Sequence, residues 1–149
     1  MQSLFDPEVF QHIVNRVEAL HPSASRQWGK MTPAQMLEHS AIAMEMACGK
    51  GPQKQSWPGK LIGWTVRKNF LGEKPFSKNG PTDPRLIVKS EPNFTEARNR
   101  LLGMMRELQS KGESGCDGNM HVFFGRMSGA DWGVIQYKHL DHHLRQFGA

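Results

Sequence analysis

His139 and His143 stand four residues apart near the C-terminal end of this chain, Gln146 follows three later, and His39 sits alone in an otherwise apolar helical pattern. Histidines at i and i+4 lie one above the other on a helix face, so their imidazole nitrogens can converge on one ion. A third ligand must then come from another helix. With bundle axes roughly 8–10 Å apart, imidazoles on two facing helices both reach an ion at the usual ~2.0–2.1 Å. Three neutral nitrogens leave coordination positions open to water or substrate, the pattern of a catalytic rather than a structural site. The plainer reading of any one inward histidine is a hydrogen-bonded core residue.

Four long helices are needed to position these side chains, and the sequence supplies their signals. Asp6, Pro7 and Glu8 form a cap, a first-turn proline and a first-turn acid, and Phe10, Ile13, Val14, Val17 and Leu20 follow at helical spacing. Helix one therefore spans about Pro7 to Leu20. Thr32-Pro33-Ala34-Gln35 reads as a capping box, and Met36, Leu37, Ile42, Ala43 and Met46 continue on a 3.6 period to Gly49, with His39 about two turns in. The stretch from Gly49 to Pro92 reads as a long crossover with one short helix from about Pro58 to Phe70. Asn93 or Thr95 opens helix three, which carries Ala97, Leu101, Leu102, Met104, Met105 and Leu108 and ends before Gly112. Ser128 and the residues after it open helix four, from about Gly129 to Phe147. The best strand signal, Leu86-Ile87-Val88, is very short. The expected fold is all-α, a single domain over residues 1–149, with four helices running up-down-down-up and the crossover between helices two and three.

At ~100° per residue, Trp132, Gln136, His139, His143, Gln146 and Phe147 fall on one stripe of helix four, with Lys138, Asp141 and Arg145 opposite. His142 lies at the edge of that stripe, so His139 with His143 is the better-centred pair. His39 shares a face with Gln35, Met36, Ile42, Ala43 and Met46. It lies roughly 9 Å from the start of helix two at 1.5 Å per residue, a depth similar to that of the pair measured from the end of helix four. If helix four runs antiparallel to helix two, the three imidazoles meet. His12 and His21 read as surface or turn residues and Cys48 as a poor ligand on the opposite face, while His121, in the loop before helix four, reads as a structural hydrogen bonder or, if that loop folds back, as a residue that reaches the site.

The formal charge of +5 is concentrated between Lys50 and Lys89, where only Glu73 and Asp83 are acidic. Such a segment suits an anionic small molecule, a membrane or a nucleic acid, or is simply a solvated connection. Trp57, Trp64, Phe70 and Phe76 interleave with its charges as in single-strand binders, yet Trp57, Leu61, Trp64 and Val66 also fit a short helix covering the core. The start, MQSLFDPEVF, does not read as a signal peptide, and no apolar stretch is long enough to cross a bilayer. Cys48 and Cys116 form no CxxC or paired framework, so a reducing, cytoplasmic setting is the simplest expectation.

The stretch from Trp28 to His39, with RMSGADW and YKHLDHHLRQFG, resembles the DinB/YfiT-like superfamily of bundle metalloenzymes, in particular a bacterial branch known as domain of unknown function 1569. The resemblance spans essentially the whole chain. It implies an up-down-down-up four-helix bundle with a divalent ion, often nickel or zinc, held by His39, His139 and His143, and Gln146 matches a recurrent glutamine of the same motif. Characterised relatives include transferases and isomerases that depend on low-molecular-weight thiols. The resemblance assigns no activity to this branch.

Chemistry at such a site would use the ion to lower the pKa of a water or thiol or to polarise an electrophile. No carboxylate faces it from either ligand helix, since Glu38 is about 100° from the His39 face and Asp141 points away. Gln146, and after it Gln136 or Gln35, are the candidate hydrogen-bond partners, although Gln35 is expected to be occupied by its cap. Arg26, Lys30, Arg85 and Lys89 would form a basic rim at the open end, suited to an anionic small molecule such as a carboxylate-bearing thiol. Two rival readings are a non-catalytic metal- or ligand-binding bundle and nucleic-acid binding through the crossover, the latter being the least favoured. No membrane partner is expected. The Trp-bearing crossover helix offers a face for a homodimer, which the sequence does not demonstrate.

Overall fold

Asp6 accepts the backbone N–H groups of Glu8 and Val9, and from it α1 (Pro7–Ala19) runs with Ile13, Val14 and Val17 buried. Thr32 and Gln35 form a reciprocal capping box at the head of α2 (Pro33–Ala47), the most deeply buried helix. Ser56 caps α3 (Trp57–Leu71), and Asn93 caps α4 (Phe94–Cys116). Ser128 caps α5 (Gly129–Gln146). This computed structural model describes residues 1–52 and 54–149. Among them the protein is mostly helical, with five helices and one two-stranded antiparallel ribbon, β1 (Met120–His121) with β2 (Gly125–Arg126).

The core is drawn from α1, α2, α4 and α5, with Leu37, Met44, Leu101, Met105, Leu108, Trp132 and Leu140 fully enclosed. Polar contacts across it fix the register of its helices. Arg100 on α4 pairs with both Glu38 and Glu45 on α2, and Lys50 just after α2 pairs with Glu107. Arg16 on α1 joins Asp141 on α5 at 2.8 Å, and the backbone of Leu4 donates to Gly133. Gln109 on α4 donates to the Leu4 carbonyl, while Arg98 reaches the Glu18 carbonyl. Gln136 Nε2 donates to the Ala43 carbonyl at 2.9 Å, tying α5 to α2 one turn from the histidines.

The very short strand signal Leu86-Ile87-Val88 forms no strand, in keeping with the all-α expectation; Pro84–Leu86 is a 3-10 turn that Asp83 caps and Ile87 ends. Other expectations are corrected. The ribbon lies instead in the glycine-rich loop before α5, where the sequence carries no strand periodicity. α4 continues past the expected stop for one further turn, across Gly112 at φ 62° and ψ −176°, a left-handed backbone that breaks the helix geometry and re-aims the chain to bury Cys116. The crossover helix does not lay its tryptophans on the core: Val66 packs inward, but Trp57, Leu61 and Trp64 face solvent. No helix of the described residues is long and apolar enough to cross a membrane.

Candidate metal centre

His39 is carried on the buried face of α2, and His139 and His143 on successive turns of α5. One nitrogen from each ring lies within 4.8 Å of the other two. His39 Nε2 stands 2.9 Å from His139 Nε2, and His143 Nε2 stands 3.2 Å from the same atom. His142 is excluded from the cluster, as its helix phase suggests, and turns toward Trp28 and Phe76. Cys48 is buried but also stands outside it.

Hydrogen bonding at the outer nitrogens assigns the proton positions of two rings. His39 Nδ1 lies 2.8 Å from the Leu86 carbonyl oxygen, which can only accept, so Nδ1 carries the hydrogen and Nε2 a bare lone pair. Gln146 Nε2 donates to the Trp28 carbonyl at 2.7 Å, which turns the amide oxygen toward His143 Nδ1 at 3.1 Å. His143 therefore also donates from Nδ1 and leaves Nε2 bare. Both bare nitrogens face His139 Nε2.

No arrangement of protons satisfies His139. With its hydrogen on Nε2, a single N–H faces two acceptors; with it on Nδ1, that buried nitrogen has no partner and three lone pairs meet head-on. A cation held between the rings could take up the three Nε2 lone pairs together. Around an ion with M–N of ~2.0–2.1 Å, neighbouring nitrogens stand roughly 2.9 Å apart in an octahedron and roughly 3.3 Å in a tetrahedron. The two observed separations, 2.9 and 3.2 Å, lie within that range. Three imidazoles in this proximity could hold a metal ion, for several of which imidazole is a common ligand.

Electrostatics agrees with a neutral, ligand-ready set. Burial pushes His39 below its ordinary value, with the Leu86 hydrogen bond opposing. Burial, then His143 and His39, hold His139 well below it. His143 is lowered to about 3, again chiefly by burial and then by His39, against the hydrogen bond to Gln146. At neutral pH all three lone pairs are available, and protons compete little for them.

The supporting groups include some that sequence reasoning missed. The Leu86 carbonyl comes from the crossover, and being a backbone atom it leaves no trace in residue type. Gly29, at φ 76°, brings the Trp28 carbonyl to Gln146 so closely that a Cβ at position 29 would overlap the Gln146 amide. Gln35 is held by its cap and by the Ser90 carbonyl, as anticipated. Glu38 is taken by Arg100 and Asp141 by Arg16 and Arg145, so neither carboxylate serves the histidines. The Trp28 loop and the 84–86 turn do reach the site, but the Arg85 guanidinium is engaged by Asp83. Lys78 stands 4.4 Å over the Trp28 ring. It borders a cavity of about 460 Å³ lined by Trp28, Phe76, Lys138 and His142, whose ring lies 5.1 Å from that of His143.

His121 takes no part in the cluster and has a structural role. Its Nδ1 accepts the N–H groups of Phe123 and Phe124, both at 3.1 Å, closing the ribbon turn. Burial lowers its pKa from 6.5 to about 4, with Asp83 opposing and Arg67 adding. Between those values the unfolded chain binds the proton that the folded chain refuses, so stability falls as pH drops through that window. At 1.36 kcal/mol per pH unit, this residue alone withdraws about 3 kcal/mol on going from pH 7 to pH 4. His121→Asn, which keeps an acceptor but cannot titrate, is expected to flatten the urea-unfolding free energy against pH by that amount in metal-free protein. A slope equal to that of wild type would refute the assignment.

Residues 5–149 match a family model described as "Protein of unknown function (DUF1569)". No curated protein and no solved structure matches the sequence.

Proposed function

We propose, starting from the fact that this chain belongs to the DUF1569 family, that it is a divalent-metal-dependent enzyme of the DinB-like superfamily acting as a thiol S-transferase or a hydrolase. The observation that carries this reading is the convergence of three Nε2 atoms, two of them bare because their outer nitrogens donate to Leu86 and Gln146. The contacts between helices support an up-down-down-up bundle. Glu38 and Glu45 share Arg100 while Lys50, further along, meets Glu107, the order of parallel neighbours, whereas His39 with His139 and Ala43 with Gln136 run in opposite order, as antiparallel ones do.

A nickel or zinc ion bound by His39, His139 and His143 would supply Lewis acidity, lowering the pKa of a water or substrate thiol. The chain's own residues perform the remaining work. Leu86 and Gln146 hold two imidazoles in the ligating tautomer, and Trp28 and Gly29 in turn hold Gln146. The side chains packed around His39 and His139 exclude bulk water and keep both rings neutral. With both nearby carboxylates committed to arginines, proton transfer falls to the substrate or solvent rather than to a protein base. The cavity beside His142, with Trp28 and Phe76 as walls and both Lys78 and Glu73 in its lining, suits a small molecule with a flat apolar part.

The reading is tested by loading purified protein with nickel or zinc and assaying thiol transfer to electrophiles and ester or amide hydrolysis, alongside His143→Ala. Turnover that requires the metal and disappears in the variant is expected. Stoichiometric metal with no turnover across both panels would instead favour the non-catalytic metal-binding bundle.

A further inference from the structure

We propose that the outward face of α3 is a docking surface for an anionic lipid bilayer. Trp57, Leu61 and Trp64 are 72, 58 and 69 % exposed. At ~100° per residue they fall within an arc of about 60°, with Lys68 inside it and Lys60 and Thr65 at its borders. Tryptophan and leucine are the side chains that interfacial helices sink into the headgroup layer, and lysines bordering them are drawn to anionic headgroups.

This face is outward because the opposite one is held in place. Gly59 and Gly63 lie against the backbone of Phe123 so closely that a Cβ at either position would overlap its carbonyl oxygen. No larger residue could take that face, so the glycines fix the rotation of the helix. Ser56 donates its backbone N–H to Val122, Gln55 donates to the Phe123 carbonyl, Arg67 pairs with Asp131, and Lys138 donates to the Phe70 carbonyl at the C-terminal end. The tryptophans are thus presented by a clamped helix.

Charge and area decide the occupant. From Met46 to Gly72 the chain has no acidic residue. Among the described residues Lys54, Lys60 and Lys68 have no acidic partner. A second copy seated on this face would bring both sets of lysines together. The apolar patch amounts to roughly 400 Å² from two tryptophans and a leucine, well short of the ~800 Å² per partner of a stable interface. An anionic bilayer accepts both the rings and the lysines without those difficulties.

The test is partitioning of the full chain onto vesicles of phosphatidylcholine, with and without about 30 % phosphatidylserine. Each lysine near such a surface strengthens partitioning about fivefold, so binding to the anionic vesicles should exceed binding to neutral ones by at least tenfold and weaken with salt. Tryptophan emission should shift to the blue. Lys60→Glu with Lys68→Glu is expected to weaken partitioning more than thirtyfold, and Trp57→Ala with Trp64→Ala to abolish it. These side chains are exposed, so both variants should keep the wild-type circular dichroism. Equal partitioning onto both vesicle types, or none onto either, would overturn the proposal. So would a solution dimer that protects both tryptophans, which would assign the face to a second copy.

Discussion

His139→Leu is expected to lower nickel or zinc affinity by on the order of a thousandfold, well beyond the ~10–100-fold loss of an outer-shell partner, while leaving the stability of the metal-free protein within ~1.5 kcal/mol of wild type. The two halves of this result follow from one geometry. His139 supplies the nitrogen on which the other two converge, so its loss leaves His39 and His143 with no shared third ligand. Without an ion, the same residue buries an unpartnered Nδ1 and faces two lone pairs. Removing the unsatisfied Nδ1 recovers ~1–3 kcal/mol, but His39 Nε2 and His143 Nε2 lose their shared partner at a similar cost, and the near-conservative change in volume costs less than ~1.5 kcal/mol, so the net change is small. A core histidine retained for its hydrogen bonds would behave oppositely, losing stability with no change in metal binding. Isothermal titration with the metal and urea unfolding without it separate the two cases, and Gln146→Leu should fall between them with a ~10–100-fold loss in affinity.

Trp132→Ala is expected to lower stability by ~3–5 kcal/mol, the usual range for deleting a fully enclosed large aromatic. Trp132 is completely buried on the stripe of α5 that carries His139 and His143, donates to the Asn119 carbonyl at 3.3 Å, and packs 5.4 Å from the His121 ring. In a chain of this length that corresponds to a melting temperature lower by roughly 10 °C or more. Metal affinity of the folded fraction should change less than threefold, because His139 lies about two turns away at 3.6 residues per turn. The C-terminal end of α5 is held separately by Leu140, Leu144 and Gln146. A loss of stability under ~1 kcal/mol, or a fall in affinity matching that of His139→Leu, would contradict this division between the base of α5 and its ligand-bearing end.

Where side-chain type decided the outcome, the sequence was readable. The caps Asp6, Thr32 and Ser128 mark helix starts because their oxygens must satisfy free N–H groups. Burial of Trp132, Gln136 and Gln146 follows from a single helix phase, which also brings His139 and His143 to His39. Where backbone decided, it was opaque. The Leu86 carbonyl that holds His39 could have come from any residue, and nothing in the local Leu-Ile-Val run marks a turn ending at the site. α3 was legible as a helix but not in its rotation. Hydrophobic patterning would bury Trp57, Leu61 and Trp64, whereas the close approach of Gly59 and Gly63 to Phe123 turns them outward. Likewise Gly29 reads as an ordinary loop glycine until the Gln146 amide is found against it.

X-ray absorption at the metal edge of nickel- or zinc-loaded protein, compared with His139→Leu, tests the central claim most directly. The account predicts three imidazole nitrogens at ~2.0–2.1 Å with a further oxygen donor, and loss of the imidazole scattering pattern in the variant. Coordination by one imidazole or none, or a spectrum unchanged in His139→Leu, would contradict it.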